Sequence, residues 1–234
     1  MNELSLFTGA GGGVLGSKLL GHRIIGYVEC SDYCQRVIAQ RIRDGIFDEA
    51  TIFGDIRTFN DLYASSYKGL VNVLSGGFPC QPFSTATHGV KTAQDMWPEM
   101  RRTVELVRPR YVFAENVQRK PIETAADDLF TLGYTSKAIS LSAKDMGADH
   151  VRERFWLLAH ANNDGQLLRP IDAEMERMPK LQSGVWQTNP RIRRVSNGLA
   201  GRMERFRAIG NGQIPIVAAT AFSILNRSYL DEST

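Results

Sequence analysis

Short apolar runs that alternate with stretches of helical spacing constrain this chain more than any other feature of it. Leu4–Phe7, Ile24–Val28, Thr51–Phe53, Leu70–Leu74, Tyr111–Ala114, Tyr134–Leu141 and Phe155–Ala159 read as strands, Leu70–Leu74 being of the buried type. Between them Val14–Leu20, a stretch from a capping Asp32 to about Arg43, Pro98–Val107 and Ile122–Leu132 read as helices. Pro98 suits a first helical turn, and Gly133 a left-handed helix end. Alternation of this kind predicts an α/β fold with a doubly wound, mostly parallel sheet. In such sheets ligands bind at the carboxyl ends of the strands. Gly9–Gly13, Glu29, Asp55, Cys80 and Glu115 all fall just after expected strands, so one crevice can hold them all.

The chain has 234 residues, enough for one packed domain and a small appendage. After about Ala161 the pattern breaks. Asn162–Pro190 is polar, with proline, glycine and glutamine and no clear period, and reads as an irregular insert. Gly212–Leu225 is an apolar terminal helix with Pro215 near its start. The expected division is therefore 1–161, 162–195 and 196–234, the last returning to the first.

Composition excludes some classes. Hydrophobic residues make up 43% and charged residues 23%, ordinary for a soluble globular chain. No apolar run is long enough to span a bilayer, and Met1–Phe7 enters a strand directly, without the pattern of a signal peptide. Cys30, Cys34 and Cys80 form an odd, sparse set that suggests reduced thiols in a cytoplasm. Their spacing offers no zinc site, and no metal is expected. Net charge is only +3, but Arg191, Arg193, Arg194, Arg202, Arg205 and Arg207 cluster against Glu204 alone. Such a cluster either neutralises phosphates or forms a solvated basic face.

Phe7-Thr8-Gly9-Ala10-Gly11-Gly12-Gly13 follows a strand and opens a helix, and glycines there let a ligand approach the backbone. Gly11-x-Gly13-x-x-Gly16 formally matches the dinucleotide fingerprint. Glu29, closing the second strand, can accept hydrogen bonds from ribose hydroxyls. A nucleoside-bearing cofactor is expected, with NAD, FAD and S-adenosylmethionine all open on these residues. Gly76-Gly77-Phe78-Pro79-Cys80-Gln81-Pro82-Phe83-Ser84 is the most informative stretch. Glycines and prolines flank one thiol on a loop at the ligand-binding end, which favours a nucleophile over a buried structural cysteine. Glu115, after the next long strand, is placed to act as an acid.

Taken together these motifs resemble the DNA (cytosine-5) methyltransferase family, and the match runs over nearly the whole chain. It is carried by Phe7, Gly9, Gly11 and Gly12, by Glu29, by Asp55-Ile56, by Pro79-Cys80-Gln81, by Glu115-Asn116-Val117, by Arg152 and Arg154, and by Gly210-Asn211, in the family's order. The resemblance implies a Rossmann-like methyltransferase fold with a target-recognition insert, S-adenosylmethionine as cofactor and double-stranded DNA as partner. It implies Cys80 as the thiolate, Glu115 as the acid at ring nitrogen-3, Arg154 at the cytosine carbonyl and Arg152 steadying the closed loop. Phe7, Gly9, Gly11, Gly12, Glu29, Asp55, Ile56, Pro79 and Asn211 are the implied cofactor residues. Gln81, Ser84, Arg191, Arg193 and Arg194 are the expected nucleic-acid contacts, on a loop running to Met96 and on the basic segment.

The chain departs from the family pattern at His150, where glutamine is common, and in the shortness of the stretch between Ala161 and Arg191. The expected protein is a cytoplasmic monomer of bacterial or phage type, nucleoid-associated in use, with a partner chain for target recognition as the alternative. Rival readings are a tRNA cytosine-5 methyltransferase, a non-catalytic DNA-binding subunit with the same fold, and a NAD-dependent oxidoreductase.

Overall fold

The computed structural model describes residues 1–79, 95–161, 176–177, 204, 208, 210 and 212–231. Strands β1 (Asn2–Leu6), β2 (Arg23–Val28), β3 (Ile52–Phe53), β4 (Val73–Gly77), β5 (Tyr111–Asn116), β6 (Tyr134–Ser142), β7 (Glu153–Ala161) and β8 (Glu176–Arg177) join in one eight-stranded sheet. Helices α1 (Gly12–Leu19), α2 (Asp32–Arg43), α3 (Ile56–Leu62), α4 (Trp97–Val107), α5 (Arg119–Thr131) and α6 (Pro215–Asp231) accompany it. The order is β3-β2-β1-β4-β5-β7-β6-β8. The strands from β3 to β5 run parallel, and β7 lies antiparallel between β5 and β6. The sheet is thus mostly parallel and doubly wound.

Period-two alternation sorts the sheet's side chains onto two faces. Leu74, Val112, Ala114, Leu157 and Ala159 point into a core shared with α3, α4 and α5. Their chain neighbours Val73, Tyr111, Phe113, Trp156 and Leu158 point into a second core closed by α6 through Val217, Ala218, Ala221 and Phe222. Because both faces are covered, the central strands carry continuous apolar runs. Each fully buried aliphatic side chain contributes about 1.5–3 kcal/mol, so the central strands anchor the loops at their ends.

Several local expectations need correction. Ser31, not Asp32, caps α2: its side chain accepts from Cys34 N, while Asp32 is the first helical residue. The fourth strand starts at Val73 and runs through Ser75-Gly76-Gly77; Leu70, expected inside it, is 56% exposed. The terminal helix begins at Pro215, where the ring suits a first turn, and not at Gly212. Helix α3 and the 3-10 turns Ala64–Tyr67 and Ala143–Met146 were not anticipated. β8, which pairs with Ile139 and Ser140 of β6, lies inside the expected insert. Among the described residues no helix is long and apolar enough to cross a membrane, and no His, Cys, Asp or Glu group could hold a metal ion.

The order reverses between β1 and β4, so the chain leaving β1 and the chain leaving β4 turn away from each other. A crevice opens at such a switch point, outside the carboxyl ends of the strands. The register sets Leu6 beside Gly76, and Gly77 beside Glu115.

Candidate active site

The β1 side of the crevice is a glycine turn held by a carboxylate. Gly9 N donates to Glu29 Oε2 at 2.7 Å, and Ser31 N donates to Glu29 Oε1 at 2.8 Å. Glu29 therefore spans from the glycine turn to the cap of α2, and Gln35 Nε2 donates to its carbonyl at 2.6 Å. Each carboxylate oxygen retains acceptor capacity, because a carboxylate offers about four lone-pair sites. Gly11 precedes α1 with φ 87°, a conformation that glycine adopts without strain, and the Phe47 ring fills the space a side chain would need. Phe7 has φ 49°, which turns the chain sharply out of β1. Phe7 and Gly9 line the crevice together with Gly76, Gly77, Glu115 and Gln213.

The β4 side is held by groups from three elements. Asn116 Nδ2 donates to the Phe78 carbonyl at 3.0 Å, and Met96 N donates to the Pro79 carbonyl at 3.0 Å. The Phe78 ring packs on Trp97, whose indole N–H donates to Asp128 at 2.7 Å. The chain thus reaches Cys80 from a fixed anchor. Cys80 lies outside the described residues, as do Gln81, Ser84, Arg191, Arg193, Arg194 and Asn211.

Glu115, at the carboxyl end of β5, is buried between these two sides. Arg154 Nε lies 3.1 Å from its Oε1, and Gln213 Nε2 donates to its Oε2 at 3.3 Å. Burial pushes its pKa above the usual carboxylate range; the Arg154 charge and the Gln213 hydrogen bond oppose the shift without cancelling it. Arg154 reaches Glu115 because β7 runs antiparallel beside β5, which sets Trp156 opposite Glu115 and brings Arg154 to the same strand end. Arg152 points elsewhere. Its Nη2 donates to the carbonyls of Gly210 and Gly212, each at 2.7 Å, so it holds the turn that leads into α6.

The remaining expected residues are less central. Asp55 caps α3 through Arg57 N at 2.8 Å, and Arg57 Nη2 lies 2.7 Å from its second oxygen. Those contacts hold its pKa below the usual value. Ile56 is buried in the core with Val28 and Phe59. Of the expected cofactor residues, Phe7 and Gly9 line the crevice, whereas Asp55, Ile56, Pro79, Gly11, Gly12 and Glu29 are not part of its lining. Gln213 was missed by the sequence reading, although it directly follows Gly210-Asn211-Gly212. Asn116 was quoted in a motif but given no role.

Residues 1–207 match the family model described as C-5 cytosine-specific DNA methylase. Among curated proteins, the chain is 28% identical over 173 residues to Type II methyltransferase M.NaeI of Lentzea aerocolonigenes, covering 69% of this chain and 40% of that one. It is 28% identical over 208 residues to Type II methyltransferase M1.HphI of Haemophilus parahaemolyticus, covering 79% and 54%. The chain spans about half the length of the curated relatives it matches. Its fold resembles that of a Spodoptera frugiperda DNMT2 mutant, with TM-score 0.59, 20% identity and coverage of 76% of this chain and 55% of that one. It also resembles a prophage-encoded DNA modification methyltransferase structure from E. coli, with TM-score 0.54, 23% identity and coverage of 69% and 47%.

Proposed function

The chain belongs to the C-5 cytosine-specific DNA methylase family, and from that premise we propose that it methylates carbon-5 of a flipped-out cytosine in double-stranded DNA through a covalent Cys80 adduct. The observation that carries this reading is Glu115: a buried carboxyl with a raised pKa, one oxygen on a guanidinium and the other on an amide, beside the anchored chain that leads to Cys80.

Family and fold imply S-adenosylmethionine as the methyl source. The residues present fit it. The glycine turn bares its backbone, Glu29 keeps lone pairs for ribose hydroxyls, and the crevice floor at Gly76 and Gly77 carries no side chains. Asp55 also keeps acceptor capacity beside Arg57 for an adenine amino group. When bound, the cofactor supplies an electrophilic methyl carbon.

Carbon-5 of cytosine is a poor nucleophile. In the proposed sequence the Cys80 sulfur forms a bond to carbon-6, and the displaced ring electrons gather toward nitrogen-3, where Glu115 supplies a proton. Arg154 donates to the ring carbonyl oxygen. Carbon-5, now enamine-like, takes the methyl group. Loss of its proton to a base then expels the thiolate, nitrogen-3 returns its proton to Glu115, and the ring is restored. A raised pKa lets Glu115 keep that proton to higher pH than an ordinary carboxyl does. Acid catalysis and positioned donors of this kind typically contribute about two to four orders of magnitude each. The base must first leave the duplex, at a cost of a few kcal/mol. Gln81 and Ser84, behind Cys80, and Arg191, Arg193 and Arg194 are the proposed DNA contacts; phosphate neutralisation by the arginines makes binding salt-dependent.

The test is trapping on duplex DNA that contains 5-fluorocytosine, with methyl-labelled S-adenosylmethionine. Fluorine cannot leave as a proton does, so the parent protein should form a denaturant-stable adduct, and Cys80→Ser should form none while still binding cofactor. An adduct in Cys80→Ser overturns the nucleophile assignment. Methyl transfer to tRNA and not to duplex DNA overturns the substrate.

A further inference from the structure

Gln213 stands between the glycine turn and the buried acid. Its Nε2 donates to Glu115 Oε2 at 3.3 Å, while its Oε1 lies over Gly13 and its backbone carbonyl over Gly12. A side chain on either glycine would overlap it. On the opposite wall, a Cβ on Gly77 would come within 2.5 Å of Glu115 Oε2 and 3.1 Å of Gln213 Nε2. The amide is therefore walled by bare backbone on both sides. The carboxylate beyond it only accepts hydrogen bonds while ionised, which requires the NH2 end to face it. Arg152 fixes the backbone behind this side chain through the carbonyls of Gly210 and Gly212, and α6 begins at Pro215.

We propose that Gln213 is the positioning residue for Glu115: it fixes the plane of the carboxyl group and ties it to the glycine turn, so that one side chain links cofactor seating to the orientation of the acid. This rests on the reading of Glu115 as the group that faces ring nitrogen-3. The division of labour has a physical reason. Arg154 neutralises Glu115 and is also needed at the base carbonyl. A neutral amide on the other oxygen keeps the carboxyl in place while the guanidinium turns toward the base.

Among the described residues, Arg154 is the charged group paired with Glu115, and the Arg152 charge acts on it from farther off while its guanidinium holds the Gly210 and Gly212 carbonyls. Gln213 is an uncharged donor that favours the ionised form. Its loss should raise the pKa of Glu115 further. A proton needed on Glu115 is then retained to higher pH, so the basic limb of the rate profile moves up, while the rate at the optimum falls because the carboxyl is no longer held.

The experiment uses the full chain with Gln213→Leu and Gln213→Glu. In Gln213→Leu, kcat should drop about 10- to 100-fold, the range for a hydrogen bond to a charged group, with a smaller change in KM for S-adenosylmethionine and an upward shift of the basic limb. Gln213→Glu, which can donate only when protonated, should regain rate only toward low pH. A carbon-13 titration of glutamate-labelled protein without DNA, with the Glu115 signal assigned from Glu115→Gln, should show the same upward shift. An unmoved Glu115 titration in Gln213→Leu overturns the positioning role whatever the activity. A moved titration in a parent protein that methylates no DNA overturns the proposed reaction and leaves the Gln213–Glu115 link standing. Should Gln213→Leu not fold, the near-isosteric Gln213→Glu carries the titration, and a Glu115 signal identical to the parent's overturns the proposal.

Discussion

Glu29 and Glu115 are both carboxylates at strand ends, on either side of the reversal between β1 and β4, and they are almost equally buried, at 8% and 7% exposure. What differs is the kind of donor that holds them. Glu29 takes backbone N–H groups from Gly9 and Ser31, both within its own stretch of the fold. Glu115 takes side chains from β7 and from the turn before α6, a contact that spans 98 residues in the case of Gln213. Backbone donors are fixed by the fold and make Glu29 a brace for the glycine turn. Side-chain donors can turn about their own torsions, so the proton exchange proposed for Glu115 needs no change of backbone. Burial alone therefore does not separate the two carboxylates; the kind of donor that holds each one does.

The largest effect should separate the two carboxylates in function. Glu115→Gln keeps the shape but cannot donate and recover a proton, and methyl transfer should fall about 10²- to 10⁴-fold, with S-adenosylmethionine binding by calorimetry nearly unchanged. Equal losses in rate and in cofactor affinity would erase the distinction. The same variant tests the raised pKa through stability. Well below the pKa of an unfolded glutamate the side chain is neutral in both states, and no charge is buried. As pH rises through the raised native value, folding must bury a charge or hold a proton, and stability is lost. The Tm of Glu115→Gln should therefore improve relative to the parent as pH rises; a difference that is flat with pH contradicts the raised pKa.

A smaller effect is expected on the other side. Glu29→Ala strands the N–H groups of Gly9 and Ser31, which should cost about 1–3 kcal/mol of stability in urea unfolding, with weaker cofactor binding and no shift of the pH profile. Unchanged cofactor affinity would remove Glu29 from the proposed cofactor site. Smallest should be Gln35→Ala, which removes a single hydrogen bond to the Glu29 carbonyl. About 1 kcal/mol of stability should be lost, with kcat unchanged at saturating cofactor.

The parallel core was legible because strands covered on both faces leave apolar runs, as at Tyr111–Ala114. Helix α2 was legible from its polar cap region, although the capping residue was displaced by one. Helix α3 was missed because Ile56–Leu62 is short, and Asp55, which caps it, was read only as a ligand group. Leu70 was placed in β4 because an apolar residue next to a strand looks like part of it; its exposure depends on the turn Gly69 makes just before it, with φ 79°. At the site, Glu29 and Glu115 were legible from their places after strands. The partners of Glu115 were not.

Local sequence determined which segments form strands, which residues lie near their carboxyl ends, and where the backbone must be bare, because these depend on nearest-neighbour sterics and on the period of apolar residues. Tertiary structure alone decided that β7 runs antiparallel beside β5 and so delivers Arg154. It alone decided that Gln213 returns from beyond residue 200 to touch both the glycine turn and the acid. Contacts across long stretches of chain are set by how helices and strands pack on the shared sheet, and no periodicity in the sequence encodes which distant side chain will fill a given gap.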